Sequence, residues 1–280
     1  MGTTGSTLLF PGRARNLLDS EATRLAALSF RDRLIIWASI VVLTILAWAY
    51  LFRIDREMAP MMEHHRMMAD MGMVMDMSWA PRDVLYAVAM WSVMMVGMMM
   101  PSAAPVLVLY AGAHRARGAP GVAPIVIFGL GYLLIWMGFS AVAALSQWAL
   151  HEAALLSPVM SMANARIGAL VMIAAGLYQL TPLKAACLKH CRTPFGFLMS
   201  RWRSGAAGAL GMGVRHGAYC LGCCWALMAV LFVVGVMNLL WVAALATLVL
   251  VEKVAPGGTI VARVAGVAMI AAGAAAWLNA

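Results

Sequence analysis

The sequence is poor in charge. Only 11% of its 280 residues are Asp, Glu, Lys or Arg, whereas 64% are hydrophobic. Soluble domains carry about 25% charged and about 45–50% apolar residues. The apolar residues here are grouped in runs close to the roughly 20 residues that cross a bilayer. This composition excludes an ordinary soluble domain and predicts an all-α fold, a polytopic transmembrane helical bundle.

Other absences narrow the class further. The short alternating segments of an outer-membrane barrel are missing. The P-loop and the phosphorylation-type aspartate motif of ATP-driven transporters are missing. No signal-peptide pattern precedes the first apolar run. The net charge of +9 does not indicate nucleic acid, because the basic residues are spread over short connecting segments, as the positive-inside rule expects.

The apolar runs predict about seven spans with the N-terminus inside. Residues 1–33 are expected to be a cytoplasmic segment and residues 34–280 a transmembrane domain. Of the 20 Lys and Arg residues, 15 then lie inside, which favours a bacterial inner (cytoplasmic) membrane protein in this orientation. Glu252 and Lys253 are expected to cap the sixth span at the inner interface. The expected spans are Leu34–Phe52, Val84–Tyr110, Pro124–Leu145, Arg166–Leu180, His216–Val236, Asn238–Val251 and Ile260–Leu278.

Methionine is unusually frequent, with 25 residues against 8 Phe. Nine of them fall in residues 53–83, which we expect to be a polar loop outside the cytoplasm, too charged to cross a membrane. Thioether is a soft ligand that favours Cu(I), and imidazole also suits copper. The loop therefore predicts a copper collection site, although an interfacial amphipathic helix is the alternative. Its candidate ligands are Met61, Met62, His64, His65, Met67 and Met68.

Methionine also forms two stripes on the second span. Met94 and Met98 are four residues apart, as are Met95 and Met99, so each pair shares one side of a helix. Pro101 must break or kink that helix. The stripes indicate either ordinary helix packing or a thioether path for Cu(I).

All five cysteines lie in residues 187–224, together with two histidines. Thiolates bind Cu(I) and Zn(II) well, and cysteines facing the cytoplasm stay reduced. Two helices bearing these groups could bring them together as a soft-metal site for Cu(I), with zinc possible. The alternative is a set of small packing residues. The candidates are Cys187, His190, Cys191, His216, Cys220, Cys223 and Cys224.

Several motifs resemble a known family. They are PLKAACLKHCRTP, HGAYCLGCCWALM and VEKVAP, with MMMPSAAP upstream. They resemble a bacterial family described as predicted metal-binding integral membrane proteins, a family of unknown function, over about residues 84–256. The resemblance implies a bound metal without defining which metal or what activity.

Taken together, these patterns predict a copper-binding membrane protein rather than an enzyme. Cu(I) would be handled or moved between the outside Met/His loop and Cys/His clusters at the cytoplasmic face. One alternative is an accessory or assembly subunit that serves a larger membrane complex or a copper-dependent protein. Another is a membrane thiol–disulfide oxidoreductase, because Cys220-Leu-Gly-Cys223 has the C-x-x-C spacing of such enzymes.

Overall fold

The fold is helical throughout the part of the chain described. A computed structural model describes residues 30–71, 79–118, 121–156, 164–193, 196, 198 and 202–280. In these residues there are nine α-helices and no β-strand. The helices are α1 Phe30–Asp70, α2 Pro81–Ala116, α3 Ala123–Glu152, α4 Ala165–Leu180, α5 Pro182–Arg192, α6 Gly205–Ala229, α7 Leu231–Val234, α8 Leu239–Val254 and α9 Gly258–Leu278.

The helices confirm an all-α membrane bundle. Within the described ranges, five helical segments are long and apolar enough to cross a membrane. The pair α4 and α5, bent by 61° at Thr181-Pro182, adds a sixth if it forms one broken span rather than a re-entrant loop. The bend follows from Pro182, which starts α5 and disfavours helical geometry at the residue before it. The remaining predicted span coincides with α8, whose 16 residues are shorter than the roughly 20 that a straight span requires.

We expected residues 53–83 to be a loop, but the first part of this segment is helical. α1 runs without interruption from the first span to Asp70. Most of the residues concerned, Met, Ala, Glu and Arg, are good helix formers, and the helix continues through Pro60. Arg53 forms an ion pair of 2.8 Å with Glu57 one turn on. Residues 72–78 of that loop and residues 1–29 of the N-terminal segment lie outside the described chain.

α6 begins at Gly205 rather than near His216. The preceding sequence, GAAGALGMGVR, contains no proline and continues the helix. The cysteines of this helix therefore lie in its second half, and Cys220, Cys223 and Cys224 are buried. The expectation that they begin a span at the cytoplasmic face was wrong about the span's start, because the small residues before His216 continue the helix.

Glycines allow two helix pairs to pack at short distance. A side chain added at Gly213 of α6 would overlap the backbone of Phe128 in α3, and one at Gly217 would lie 3.0 Å from the Tyr132 carbonyl. A side chain at Gly176 of α4 would lie 2.6 Å from the Gly266 carbonyl in α9. Small residues commonly permit such close contacts between membrane helices. The α3–α6 contact fixes the helix that bears three of the five thiols.

Candidate metal centre

The thiols of α5 and α6 come together in the structure. The Sγ atoms of Cys191 and Cys223 are 4.0 Å apart. Cys187 lies one turn earlier on α5, against Gly222, where an added side chain would be 2.9 Å from its Sγ. Cys187 and Cys191 are half-buried, and the three cysteines of α6 are buried. The convergence of cysteines from two helices, expected from the sequence, is therefore present, and we call these five residues the thiol cluster.

α2 adds a thioether to the thiol cluster. The Sδ atom of Met99 lies 4.0 Å from the Sγ atom of Cys224. The backbone carbonyl of Met99 accepts hydrogen bonds from the hydroxyls of Ser102, at 2.8 Å, and Tyr132, at 3.1 Å. Tyr132 also places its hydroxyl 3.1 Å from the Sγ atom of Cys220. Tyr132 thus links the Met99 backbone to Cys220, while the Met99 side chain lies beside Cys224.

The other methionines of the two stripes are buried with Met99. Met94, Met95 and Met98 are each at most 2% exposed and belong to the hydrophobic core around α2. Their burial fits both helix packing and a thioether path, so their part in metal binding stays a prediction.

A buried lysine lies among these sulfur atoms. The Nζ atom of Lys253 is 2.9 Å from the Sγ atom of Cys220, 3.2 Å from the Oγ atom of Ser102 and 4.0 Å from the Sδ atom of Met99. The residue is only 7% exposed. An ammonium group in such an apolar interior favours negative charge on neighbouring sulfur. The sequence-based expectation that Lys253 caps a helix at the interface was wrong.

Glu252 is buried too, and it belongs to a separate polar network. Its carboxylate accepts hydrogen bonds from Lys184 Nζ, at 2.6 Å, and from Gln179 Nε2, at 2.9 Å. The Lys184 and Glu252 side chains are 1% and 2% exposed. Arg192 donates to the Glu252 carbonyl at 2.5 Å. These bonds join α4 and α5 to α8, and so hold the α5 thiols against α6.

The sequence did contain a signal for these charged residues. Ionisable side chains inside a membrane segment are costly and commonly mark functional sites. Glu252 and Lys253 directly follow an apolar run, and Lys184 lies two residues after Pro182 at the Thr181-Pro182 bend. Nothing in the sequence alone distinguishes an end-capping pair from a buried one, because burial depends on which helices cover the end of α8.

The two histidines predicted to lie with the cysteines, His190 and His216, have different surroundings. His216 is 2% exposed and packs between Phe128 and Tyr132, with ring centroids 6.2 and 5.7 Å away. His190 is exposed, stacks on Tyr219 at 4.3 Å and places Nδ1 2.9 Å from the Ala186 carbonyl. His216 thus supports Tyr132 beside the thiol cluster. A ligand role for either histidine stays a prediction.

The Met/His segment of α1 is separate from the thiol cluster. Met61, His64 and Met67 are exposed and Met68 is half-buried, while the side chains of Met62 and His65 lie outside the described part. This segment leads towards the start of α2. Met99 lies about 27 Å along α2 from its first residue, at 1.5 Å per residue. The segment's role as a collection site stays a prediction.

The donor set around Met99 suits a soft, low-coordinate ion. Among the described residues, no group of three or more Cys, His, Asp or Glu side chains is arranged to hold a metal ion. A structural zinc site ordinarily requires four such nitrogen or sulfur ligands. Thiolate and thioether together favour Cu(I).

Comparison with known proteins identifies a family. A family model described as PpoB2, copper chaperone, matches residues 88–276, which include α3 to α8, most of α2 and α9, and the whole thiol cluster. No curated protein and no solved structure matches the chain.

Proposed function

The chain belongs to the PpoB2 copper-chaperone family, and on that premise we propose that it binds Cu(I) inside the membrane bundle at the thiol cluster and Met99. The observation that supports this proposal most strongly is the convergence of sulfur donors from three helices. α5 contributes Cys191, whose Sγ atom is 4.0 Å from that of Cys223 in α6. α6 also contributes Cys224, whose Sγ atom is 4.0 Å from the Sδ atom of Met99 in α2. The two sulfur atoms of each pair are close enough to bind one ion after small changes of rotamer.

Lys253 gives this site the charge balance that Cu(I) requires. Two thiolates and one Cu(I) ion carry a net charge of −1. An uncompensated charge in an apolar interior costs several kcal/mol. The ammonium of Lys253, 2.9 Å from the Sγ atom of Cys220, supplies the opposite charge. A divalent ion on the same two thiolates would leave the lysine unbalanced, so the proposed site favours a monovalent soft cation.

The remaining sulfur groups supply a route to this centre. The Met/His segment, which the positive-inside rule places outside the cytoplasm, collects Cu(I). The buried methionines Met94, Met95 and Met98 lie along α2 between that segment and Met99. An inside-negative potential favours inward movement of one charge by about 2.3 kcal/mol per 100 mV. The ion is then held for delivery to a copper-dependent protein or a larger complex of the inner membrane.

Elemental analysis tests the proposed centre. The purified protein is loaded with Cu(I) under reducing conditions, desalted and compared with a variant in which Cys191, Cys220, Cys223 and Cys224 are changed to Ser. We expect about one tightly held copper per chain in the wild type and none in the variant. The melting temperature of both proteins without copper shows whether the variant is folded. Equal copper in both proteins would rule the centre out.

The same purified protein also tests the alternative function, that of a thiol–disulfide oxidoreductase. The Sγ atoms of Cys191 and Cys223 must approach from 4.0 Å to about 2.05 Å to form a disulfide. If the protein bound no copper but this pair cycled between thiol and disulfide in cells, the thiol–disulfide function would replace our proposal. We expect these thiols to be reduced in cells and protected from alkylation by bound Cu(I).

A further inference from the structure

A deep groove opens between α1 and α3 on the side of α2 away from the thiol cluster. α1 and α3 each pack on α2, and the space between them has a volume of about 440 Å³. Ile36 and Ile40 form one wall, Ile125 and Leu133 form the other, and Met100 and Leu107 line the α2 side. Neighbouring residues on both rims are exposed, including Ile35 and Leu130. In a membrane this groove faces the lipid.

The groove has the size of a site for a small ligand. An alkyl chain can lie between its apolar walls. Volumes of about 300–1,000 Å³ are typical of sites for small molecules. Its size therefore favours a chain-like apolar ligand.

One end of the groove is polar and positively charged. Asp32 at the start of α1 pairs with Arg115 near the end of α2, and both line the groove with His114. Arg31 and Arg33 flank Asp32 in sequence and are exposed. The described arginines at this end therefore outnumber its one aspartate. Basic pockets between membrane helices on the cytoplasmic side are typical binding sites for anionic lipid headgroups.

From this arrangement we propose that the groove holds one anionic phospholipid. An acyl chain lies between α1 and α3, and the headgroup phosphate lies at the arginine-rich end beside Arg115. This site is separate from the proposed copper centre and does not depend on it. Its ligand fills the gap that α1 and α3 leave beside α2, and so ties α1 to the rest of the bundle.

Two glycines of α3 provide a matched pair of variants. Gly129 lines the groove, and a side chain added there meets no atom within 4 Å. Gly138 lies on the same helix outside the groove and is equally unobstructed. Leucine also forms helices better than glycine. We therefore expect both Gly129→Leu and Gly138→Leu to fold, and only Gly129→Leu to fill the groove.

Native mass spectrometry of protein released from mild detergent measures the bound lipid. We expect wild type and Gly138→Leu to keep one phosphatidylglycerol per chain after delipidation and titration with phosphatidylglycerol, and Gly129→Leu to lose it. If the wild type kept no lipid, or Gly129→Leu kept as much as wild type, the site would be excluded. A groove covered by the chain's own residues 1–29, or by a partner helix, would give the same negative result and overturn the proposal.

The charged end has its own matched pair on α2. Arg115→Gln removes one charge from the groove's polar end, while Arg82→Gln removes one from the start of α2, where Arg82 is 80% exposed. We expect Arg115→Gln to lower the preference for phosphatidylglycerol over phosphatidylcholine about five-fold, and Arg82→Gln to leave it unchanged. Equal preferences in wild type and Arg115→Gln would contradict the headgroup assignment.

Discussion

Removal of Glu252 should destabilise the protein by more than any single uncharged contact in the bundle. Its carboxylate is 2.6 Å from Lys184 Nζ, and both side chains are at most 2% exposed. Glu252→Gln leaves the ammonium of Lys184 buried without a counter-charge. Breaking a buried pair in this way costs about 3–5 kcal/mol. At about 2–4 °C per kcal/mol for proteins of this size, the melting temperature should fall by roughly 10 °C.

A double-mutant cycle shows whether the loss comes from the unpaired charge. Lys184→Met alone leaves the carboxylate with only Gln179 as a side-chain donor, so it should cost a similar amount. The double variant Lys184→Met, Glu252→Gln contains no buried charge and should unfold within a few degrees of the wild type, because replacing a whole buried pair is often neutral. The assay is thermal unfolding in detergent, monitored by the circular dichroism signal of the helices. If both single variants had the same melting temperature as the wild type, the network would not hold α5 on α8.

Three further variants test the site and its support. Met99→Leu should weaken Cu(I) binding at least about ten-fold in a chelator competition. Met100→Leu on the same helix should leave it unchanged; both substitutions nearly conserve volume, so neither should disturb packing. Equal affinities of the two variants would remove Met99 from the ligand set. Gly213→Val should lower the melting temperature, because the new side chain overlaps an α3 backbone carbonyl, whereas Gly211→Val meets no atom within 4 Å; equal melting temperatures would contradict the close α3–α6 contact. Lys253→Met should reduce Cu(I) affinity by about 10–100-fold and Lys253→Arg should restore part of it; full affinity in Lys253→Met would refute its charge-balancing role.

The bundle could be predicted from composition, but its internal boundaries could not. Long apolar runs identify membrane helices because their length must match the bilayer. The start of α6 was misplaced because the segment before His216 is rich in glycine. Glycine is unfavourable inside an ordinary helix, yet Gly213 and Gly217 are required here for contact with α3. Close helix packing is a property of two segments, and a single segment does not reveal it.

The sequence indicated which cysteines come together, but not which other residues lie beside them. The cysteine clusters predicted convergence of sulfur donors, and the structure places Cys191 and Cys223 4.0 Å apart. The family match supports a copper-related role for the chain. Lys253 was missed as part of the site, because only the approach of α8 to α2 and α6 brings its ammonium to Cys220. Long-range neighbours of this kind follow from the packing of whole helices.

X-ray absorption at the copper K edge of the loaded, reduced protein tests the central claim most directly. The edge reports the oxidation state, and the fine structure reports which atoms surround the ion. We predict Cu(I) with two or three sulfur neighbours, and a lower sulfur count in Met99→Leu. A first shell dominated by nitrogen or oxygen, or a sulfur count unchanged by removal of the α6 cysteines, would contradict a copper centre built from the thiol cluster and Met99.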